Sequence, residues 1–577
     1  MANYTDEKQA QIVIRLLKAH GIRHVIVSPG ATNLTFVGSI QTDPFFRLYS
    51  SVDERSAAYM ACGMAAELGE PIVLSCTGAT ASRNYMPGLT EAFYRKLPVL
   101  AVTSTQIHAR IGQHVAQVID RTDTPKDIAK LSVHLPIVKD GDDVWDCEVK
   151  VNNAILALTR HGGGPAHINL PTVYSRNFSV TQLPDYRVIQ RWTPSDQMPA
   201  LKGRVAVFVG AHKAWSPEET AALERFCEVN DAAVFCDHTS NYRGKYRLLP
   251  AILGGQQGFD MSPYLPDVLI HIGEISGDYF TNSIMGREVW RVSPDGEIRD
   301  TFRKLRHVFE MPERDFFTAY SEGDTRPTAY YETVKTEIED LRQKIPALPL
   351  SNIWLASQLA HQIPSESLIH FAILNSLRAW NFFDLPPSVR SASNVGGFGI
   401  DGCTSSLLGA ALVSPGKLCF LITGDLAFFY DMNVLGNRHM SPNVRILLVN
   451  NGKGTEFTQY GHNGAAYGKD ANSFVAADGH FGPQSPDLVK GVAEALGMEY
   501  HAITDAATCG DVLSRFVSPE EQDRPLLVEA FVDADDESFA LETMRHLNPD
   551  QRENFKRKIK NVVGEDKIRQ AKKLLRR

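Results

Sequence analysis

Between Lys417 and Phe457 the chain reads KLCFLITGDLAFFYDMNVLGNRHMSPNVRILLVNNGKGTEF, and no other stretch narrows its possible folds so far. An apolar run, Leu418 to Thr423, stops at Gly424-Asp425, and a second, Val444 to Val449, stops at Asn450-Asn451. Two short buried strands with a helix-compatible crossover between them predict a parallel sheet. The polar residues stand just past the strand ends, where open α/β sheets bind ligands. Asp425 offers an anionic oxygen, Asn451 an amide oxygen, and the loop after it a free backbone carbonyl. With phosphate oxygens and water, oxygens of that kind complete an octahedral Mg²⁺ site that holds a diphosphate. Gly424 and Gly452 let backbone come close to a ligand. The plainer reading is a strand–helix–strand unit whose aspartate caps a helix and whose asparagine pair makes a turn.

At 577 residues the chain exceeds one core, and three domains are expected. A net charge of −8 gives no sign of nucleic-acid binding. Eight cysteines lie scattered without CxxC or zinc spacing, which predicts reduced thiols and a cytoplasmic protein. MANYTDEKQAQ has no apolar h-region, and no apolar run approaches the roughly 18 residues needed to span a bilayer. Residues 551–577 carry 11 Lys/Arg against 3 Asp/Glu, read as solvated or inter-subunit helix.

Near the N-terminus, strand His24 to Val27 is turned by Ser28-Pro29-Gly30, and Asp53-Glu54 opens a helix rich in small residues. A carboxylate in a first helical turn is stabilised by the macrodipole, so Glu54 has a structural as well as a chemical reading. Pro71 to Ser75, Leu97 to Thr103 and Pro165 to Leu170 add strands; 172–200 reads as linker. Strands Val205 to Val209, Ala233 to Cys236, Val268 to Ile272 and Val289 to Val292 form a second unit. It has no GxGxxG and reads as a structural spacer, followed by a linker at 323–350 around a short helix. The third unit holds strand Leu368 to Leu374, then Asn375-Ser376, NVGGFGIDG (394–402), the opening stretch and strand Leu526 to Val532. The predicted boundaries are 1–180, 190–340 and 350–545, with a basic tail at 546–577.

SPG, ERSAAYMACG, GPAHINLP, GIDG and the GD…NN pair, taken in this order, resemble thiamine diphosphate enzymes of the pyruvate oxidase and acetolactate synthase-like group. Leu426 stands where most of that group has a second glycine. GIDG, GDL and the run Asp431 to Leu435 are most similar to the menaquinone-pathway synthases that join 2-oxoglutarate to isochorismate. The resemblance implies an α/β chain of three doubly wound parallel-sheet domains: pyrimidine-binding, central and diphosphate-binding. It makes Asp425, Asn451 and the Lys453 carbonyl Mg²⁺ ligands, with Gly424, Leu426, Ala427, Asn375 and Ser376 at the diphosphate. Ile400 would wedge the cofactor into a bent shape, and the Phe398 carbonyl would accept its exocyclic amine. Glu54 would meet the pyrimidine ring from a neighbouring subunit, which implies a homodimer or homotetramer with the active site at the interface.

The chemistry so implied is addition to a 2-oxo acid and loss of CO₂, with an aldehyde or ketone as acceptor. Gln117, His114 and Glu456 are further catalytic candidates, each with a plain surface reading beside it. Arg83 is an unexpected charge in a small-residue loop that should border the cofactor, and Arg378, close to Asn375-Ser376, is placed to hold a carboxylate. The synthases' substrate arginines are replaced here by Ala31-Thr32, Thr105-Gln106 and Val395. Each lost carboxylate contact is worth roughly 1.5–3 kcal/mol, which argues against isochorismate with 2-oxoglutarate. The expected function is a Mg²⁺- and thiamine diphosphate-dependent 2-oxo acid decarboxylase or carboligase. The rivals are a simple decarboxylase releasing an aldehyde, the menaquinone-pathway synthase itself, and a catalytically silent scaffold or nucleotide-sugar-binding relative.

Overall fold

The computed structural model describes residues 2–481, 484–520 and 522–548. They form parallel α/β sheets and fall into two compact units, 1–196 with 295–310 and 197–294 with the chain from 311 onward.

The first unit is built on β1 (His24–Val27), β2 (Arg47–Ser50), β3 (Ile72–Cys76), β4 (Val99–Thr105), β5 (Leu131–His134) and β6 (Ala166–Pro171). All pair in parallel in the order β2-β1-β3-β4-β6-β5. Every residue of β3, β4 and β6 is buried, because helices cover both faces. Successive residues sort between the faces: Val25 joins the core under helices Lys8–Ala19 and Gly141–Ala157, and Ile26 the core under Glu54–Leu68 and Met86–Tyr94. The small residues of Glu54–Leu68 have a packing reason. A Cβ at Gly88 of the neighbouring helix would lie 2.4 Å from that of Ala58.

β7 (Gln190–Trp192) lies inside the segment expected to be linker, and Val180 in the same segment makes an antiparallel bridge with Tyr4. The second unit carries β8 (Val205–Val209), β9 (Ala232–Cys236), β10 (Arg247–Leu248), β11 (Val268–Ile272) and β12 (Glu288–Ser293), parallel in the order β10-β9-β8-β11-β12. β13 (Leu305–Glu310) belongs to the first unit and pairs in parallel with β7. The expected short helix near 323–350 is the 15-residue Ala329–Gln343.

The second unit continues with β14 (Leu368–Phe371), β15 (Arg390–Ser393), β16 (Cys419–Gly424), β17 (Val444–Asn450), β18 (Glu499–Ile503) and β19 (Leu526–Phe531). Their order, β15-β14-β16-β17-β19-β18, repeats that of the first sheet strand for strand. β16 and β17 are neighbours, with Gly424 opposite Val449, so both chain reversals fall at one level. That register brings the two ends of the opening stretch together.

All eight cysteines are buried and unpaired, and burial pushes the Cys76 thiol up to about 12. Among the described residues no helix is long and apolar enough to cross a membrane. The predicted basic tail lies, after residue 548, outside the described residues.

Candidate active site

Asp425 opens the helix Asp425–Tyr430 at the end of β16 and is 4% exposed. Its Oδ1 accepts the Leu426 N–H at 2.7 Å, and its Oδ2 the Gly452 N–H at 2.7 Å. Gly452 reaches that position at φ +78°, a conformation that favours glycine. Burial raises the Asp425 carboxyl to about 6, and the backbone N–H groups that bond it offset this only in part. No lysine or arginine among the described residues forms an ion pair with it.

Past β17, Asn451 Nδ2 donates to Thr455 Oγ1 at 3.1 Å, and the same hydroxyl accepts Asn375 Nδ2 at 3.1 Å. Gln459 Nε2 donates to Asn375 Oδ1 at 2.7 Å, which fixes the amide at the start of helix Asn375–Trp380. Thr455 thus ties the end of β17 to the end of β14. The Lys453 ammonium turns aside to Asn472 Oδ1 at 3.3 Å. Ser376 and Ala427 are buried; Gly424 and Leu426 are half-buried around Asp425. Phe398 stands at φ +54° in a loop closed by Asn394, which donates to the Gly402 carbonyl and accepts from Ser406 Oγ. Ile400, half-buried, packs on the core that holds Cys403, Leu407 and Phe428.

Arg378 and Glu456, weighed separately in the sequence, meet each other. Arg378 Nη1 donates to both carboxylate oxygens of Glu456, at 2.9 and 3.1 Å, and the guanidinium lies 5.0 Å from the Tyr279 ring centroid. The carboxylate that Arg378 holds is therefore Glu456 of its own chain. Breaking a buried pair by removing one partner is strongly destabilising. Arg378→Met is expected to lower stability by about 3–5 kcal/mol. A paired change, Arg378→Met with Glu456→Met, should recover most of that in chemical denaturation.

Two other acids near Asp425 carry structural information. Asp431 accepts the Ser405 N–H and hydroxyl at 2.6 and 2.7 Å, pinning helix Cys403–Leu412. Glu537, absent from the sequence reading, is buried and accepts the Asn352 N–H at 2.8 Å. Burial raises its carboxyl to about 7, with Asp425 adding to the shift.

In the first unit Glu54 is the first residue of its helix and half-buried. Asp53 caps that helix by accepting the Arg55 and Ser56 N–H groups. Asn84 Nδ2 approaches Glu54 Oε2 at 3.4 Å. His114 and Gln117 are exposed, both at positive φ, on a turn-rich loop, and neither hydrogen-bonds to Glu54. Arg83 is spent on the Asp120 carbonyl at 2.8 Å.

The family model for the thiamine pyrophosphate enzyme N-terminal TPP-binding domain matches residues 7–124, and that for the C-terminal TPP-binding domain matches 376–530. A 2-succinyl-5-enolpyruvyl-6-hydroxy-3-cyclohexene-1-carboxylate synthase of Phocaeicola vulgatus is 30% identical over 574 residues, covering 94% of this chain and 99% of its own. The chain belongs to the thiamine pyrophosphate enzymes. Synthases of the same name from Bacteroides fragilis (29% identical over 571 residues, 94% of this chain and 99% of their own covered) and Desulfotalea psychrophila (26% over 547, 89% and 96%) also match this thiamine pyrophosphate enzyme.

Like its family, it works with thiamine diphosphate and a divalent metal such as Mg²⁺. The residues present fit that pair. Asp425 is a buried carboxylate whose charge no side chain balances, and burying an ion is costly unless it is paired. One carboxylate, one oriented amide and a loop carbonyl are hard oxygen donors, the set Mg²⁺ prefers when a phosphate supplies the rest. No group of three or more His, Cys, Asp or Glu residues suited to a metal occurs among the described residues, and a site of this composition needs none.

Proposed function

We propose that this enzyme acts on a 2-oxo acid, removing CO₂ and either releasing an aldehyde or joining the remainder to an aldehyde or ketone acceptor. The observation that carries the reading is the buried, unbalanced Asp425, bonded to Gly452 one residue from Asn451, at the carboxyl ends of two central parallel strands. In this reading Asp425, Asn451 and the Lys453 carbonyl hold Mg²⁺. Gly424, Leu426, Ala427, Asn375 and Ser376 surround the diphosphate. Ile400 gives apolar bulk under the cofactor, and the Phe398 carbonyl accepts its amine. When bound, thiamine diphosphate supplies an electron sink beside the substrate carbonyl. Glu54 shares a proton with the pyrimidine ring nitrogen.

The proposed domains are 1–180, 190–340 and 350–545, and the proposed assembly is a homodimer or homotetramer in which Glu54 completes a site on a second chain. Exposed apolar residues beside Glu54 support this: Val52 is 79% exposed, Tyr59 49% and Met60 42%. Exposed apolar side chains close in sequence to one helix start favour an interaction surface there. Gln117 and His114, on the loop after β4, are proposed to face the substrate. Glu456, tied to Arg378, stands as one half of a neutral ion pair with no free charge to offer a substrate.

The end-to-end match to the synthases favours a second reading, their own reaction. Ala31-Thr32, Thr105-Gln106 and Val395, where the resemblance to the synthases leads one to expect arginines, weigh against it. One experiment separates the readings. The pure protein with Mg²⁺ and thiamine diphosphate is given a panel of 2-oxo acids, with and without acceptors, isochorismate included. CO₂ release from at least one acid is expected. Acceptor-dependent product marks a carboligase, and free aldehyde a simple decarboxylase. Release confined to 2-oxoglutarate with isochorismate would establish the synthase reaction. No release from any acid would leave a silent scaffold.

A further inference from the structure

A cavity of about 330 Å³ opens at the carboxyl ends of β5 and β6 in the first unit, and none of the residues assigned to metal or cofactor lines it. Leu135, Pro136 and Ile137, the continuation of β5, give it an apolar wall. Lys150, from helix Gly141–Ala157, enters with its ammonium held by Asp146 at 2.7 Å and the His134 carbonyl at 2.9 Å. The His108 ring packs edge-on against that of His134, with centroids 5.1 Å apart. Both ring nitrogens of His134 are shielded from solvent and meet no hydrogen-bond partner.

Lys150 is paired with Asp146, so this end of the cavity offers hydrogen-bond donors more than net charge: the third N–H of the ammonium and a ring N–H of His134. Burial, and then the charges of His108, Arg121 and Lys150, push His134 down to about 4, with Asp120 opposing them. Inorganic phosphate would take these donors but leave the apolar wall against water. A neutral hydrocarbon would cover the wall but leave the donors unanswered.

We infer that this cavity binds a small organic anion, a carboxylate on an apolar body, with Lys150 and the histidine pair as donors at the polar end and Leu135 to Ile137 along the body. A volume of this size lies at the small end of ligand pockets, which begin at about 300 Å³. The site also has a place in the fold. His108 begins the loop after β4 and Thr122 ends it, and both line the cavity. The loop between them carries His114 and Gln117, and is braced by Arg110 donating to Gln106 and by Gln106 reaching the Ala116 carbonyl. An occupant therefore touches both ends of that loop. The inference concerns binding and does not rest on the proposed reaction.

The test is calorimetric titration of the full chain, loaded with Mg²⁺ and thiamine diphosphate, using 3-phenylpropanoate, the uncharged 3-phenylpropan-1-ol and inorganic phosphate. One saturable site per chain is expected for the carboxylate, with the alcohol and phosphate each at least tenfold weaker. Lys150→Met should weaken the carboxylate at least tenfold. His108→Leu, at an exposed position outside the core, should weaken it at least threefold and keeps the test independent of any part Lys150 plays in folding. Absence of saturable binding, equal binding of the alcohol or phosphate, or unchanged affinity in His108→Leu would each overturn the inference.

Discussion

Asp425→Ala is expected to weaken Mg²⁺-dependent binding of thiamine diphosphate at least about a hundredfold, equivalent to about 2.7 kcal/mol. The size follows from the environment. A carboxylate that is 4% exposed and unpaired with any cationic side chain stands as the one charged donor among the three proposed. Its removal takes away the formal charge that draws a divalent ion from water, and hydrogen bonds to charged groups alone contribute about 1.5–3 kcal/mol. Calorimetry with and without Mg²⁺ reads the loss directly. Alanine also strands the Leu426 and Gly452 N–H groups, so Asp425→Asn is the sharper variant: its amide oxygen still accepts a backbone donor while the charge is gone. Asp431→Asn makes the contrast, since that acid serves Ser405 and the start of a helix. It should lower stability and leave metal-dependent binding nearly as it was. Wild-type affinity in Asp425→Asn would remove the electrostatic assignment.

The central strands were legible because nothing else has their pattern. β16 and β17, buried at nearly every position and ended by polar residues, were placed to within a residue, as were β8 and β11. The edges were not. β2, β5, β15 and β18 read RLYS, LSVH, RSAS and EYHAI, the first exposed throughout and the others mostly half-buried, none with an apolar run, and only pairing with a neighbour makes them strands. β7 escaped for the same reason: three residues in a Pro- and Gln-rich stretch owe their conformation to β13, more than a hundred residues on.

A similar division runs through the candidate site. Asp425 and Asn451 could be picked out from local order, since each sits one step past a strand end. Thr455, which joins Asn451 to Asn375, and Glu537, which shares Asp425's electrostatics, bear no local mark; their roles arise from contacts across the sheet. The same is true of Arg378 and Glu456, which look like two specificity elements in the sequence and are one ion pair in space. Gln117 and His114 sit at positive φ, a backbone state that residue type alone does not announce.

Glu54→Gln is expected to reduce CO₂ release by about a hundredfold to ten-thousandfold, the range a positioned proton-transfer group contributes, while cofactor affinity stays within about threefold. Glutamine keeps the side chain's shape and an oxygen for Asn84, and Asp53 still caps the helix, so the fold has little to lose. Loss of one negative charge from a first helical turn is worth about 0.3–1 kcal/mol, far less than the catalytic effect. What the variant lacks is a group able to hold and return a proton at the pyrimidine nitrogen. The same residue tests the assembly. If Glu54 of one chain completes the site built on Asp425 of another, mixing Glu54→Gln with Asp425→Ala chains creates hybrids with one intact site each. Random exchange of equal amounts makes half of all dimers hybrid, so about one quarter of wild-type activity should return from two nearly inactive parents. A site assembled within a single chain predicts no recovery at any mixing ratio.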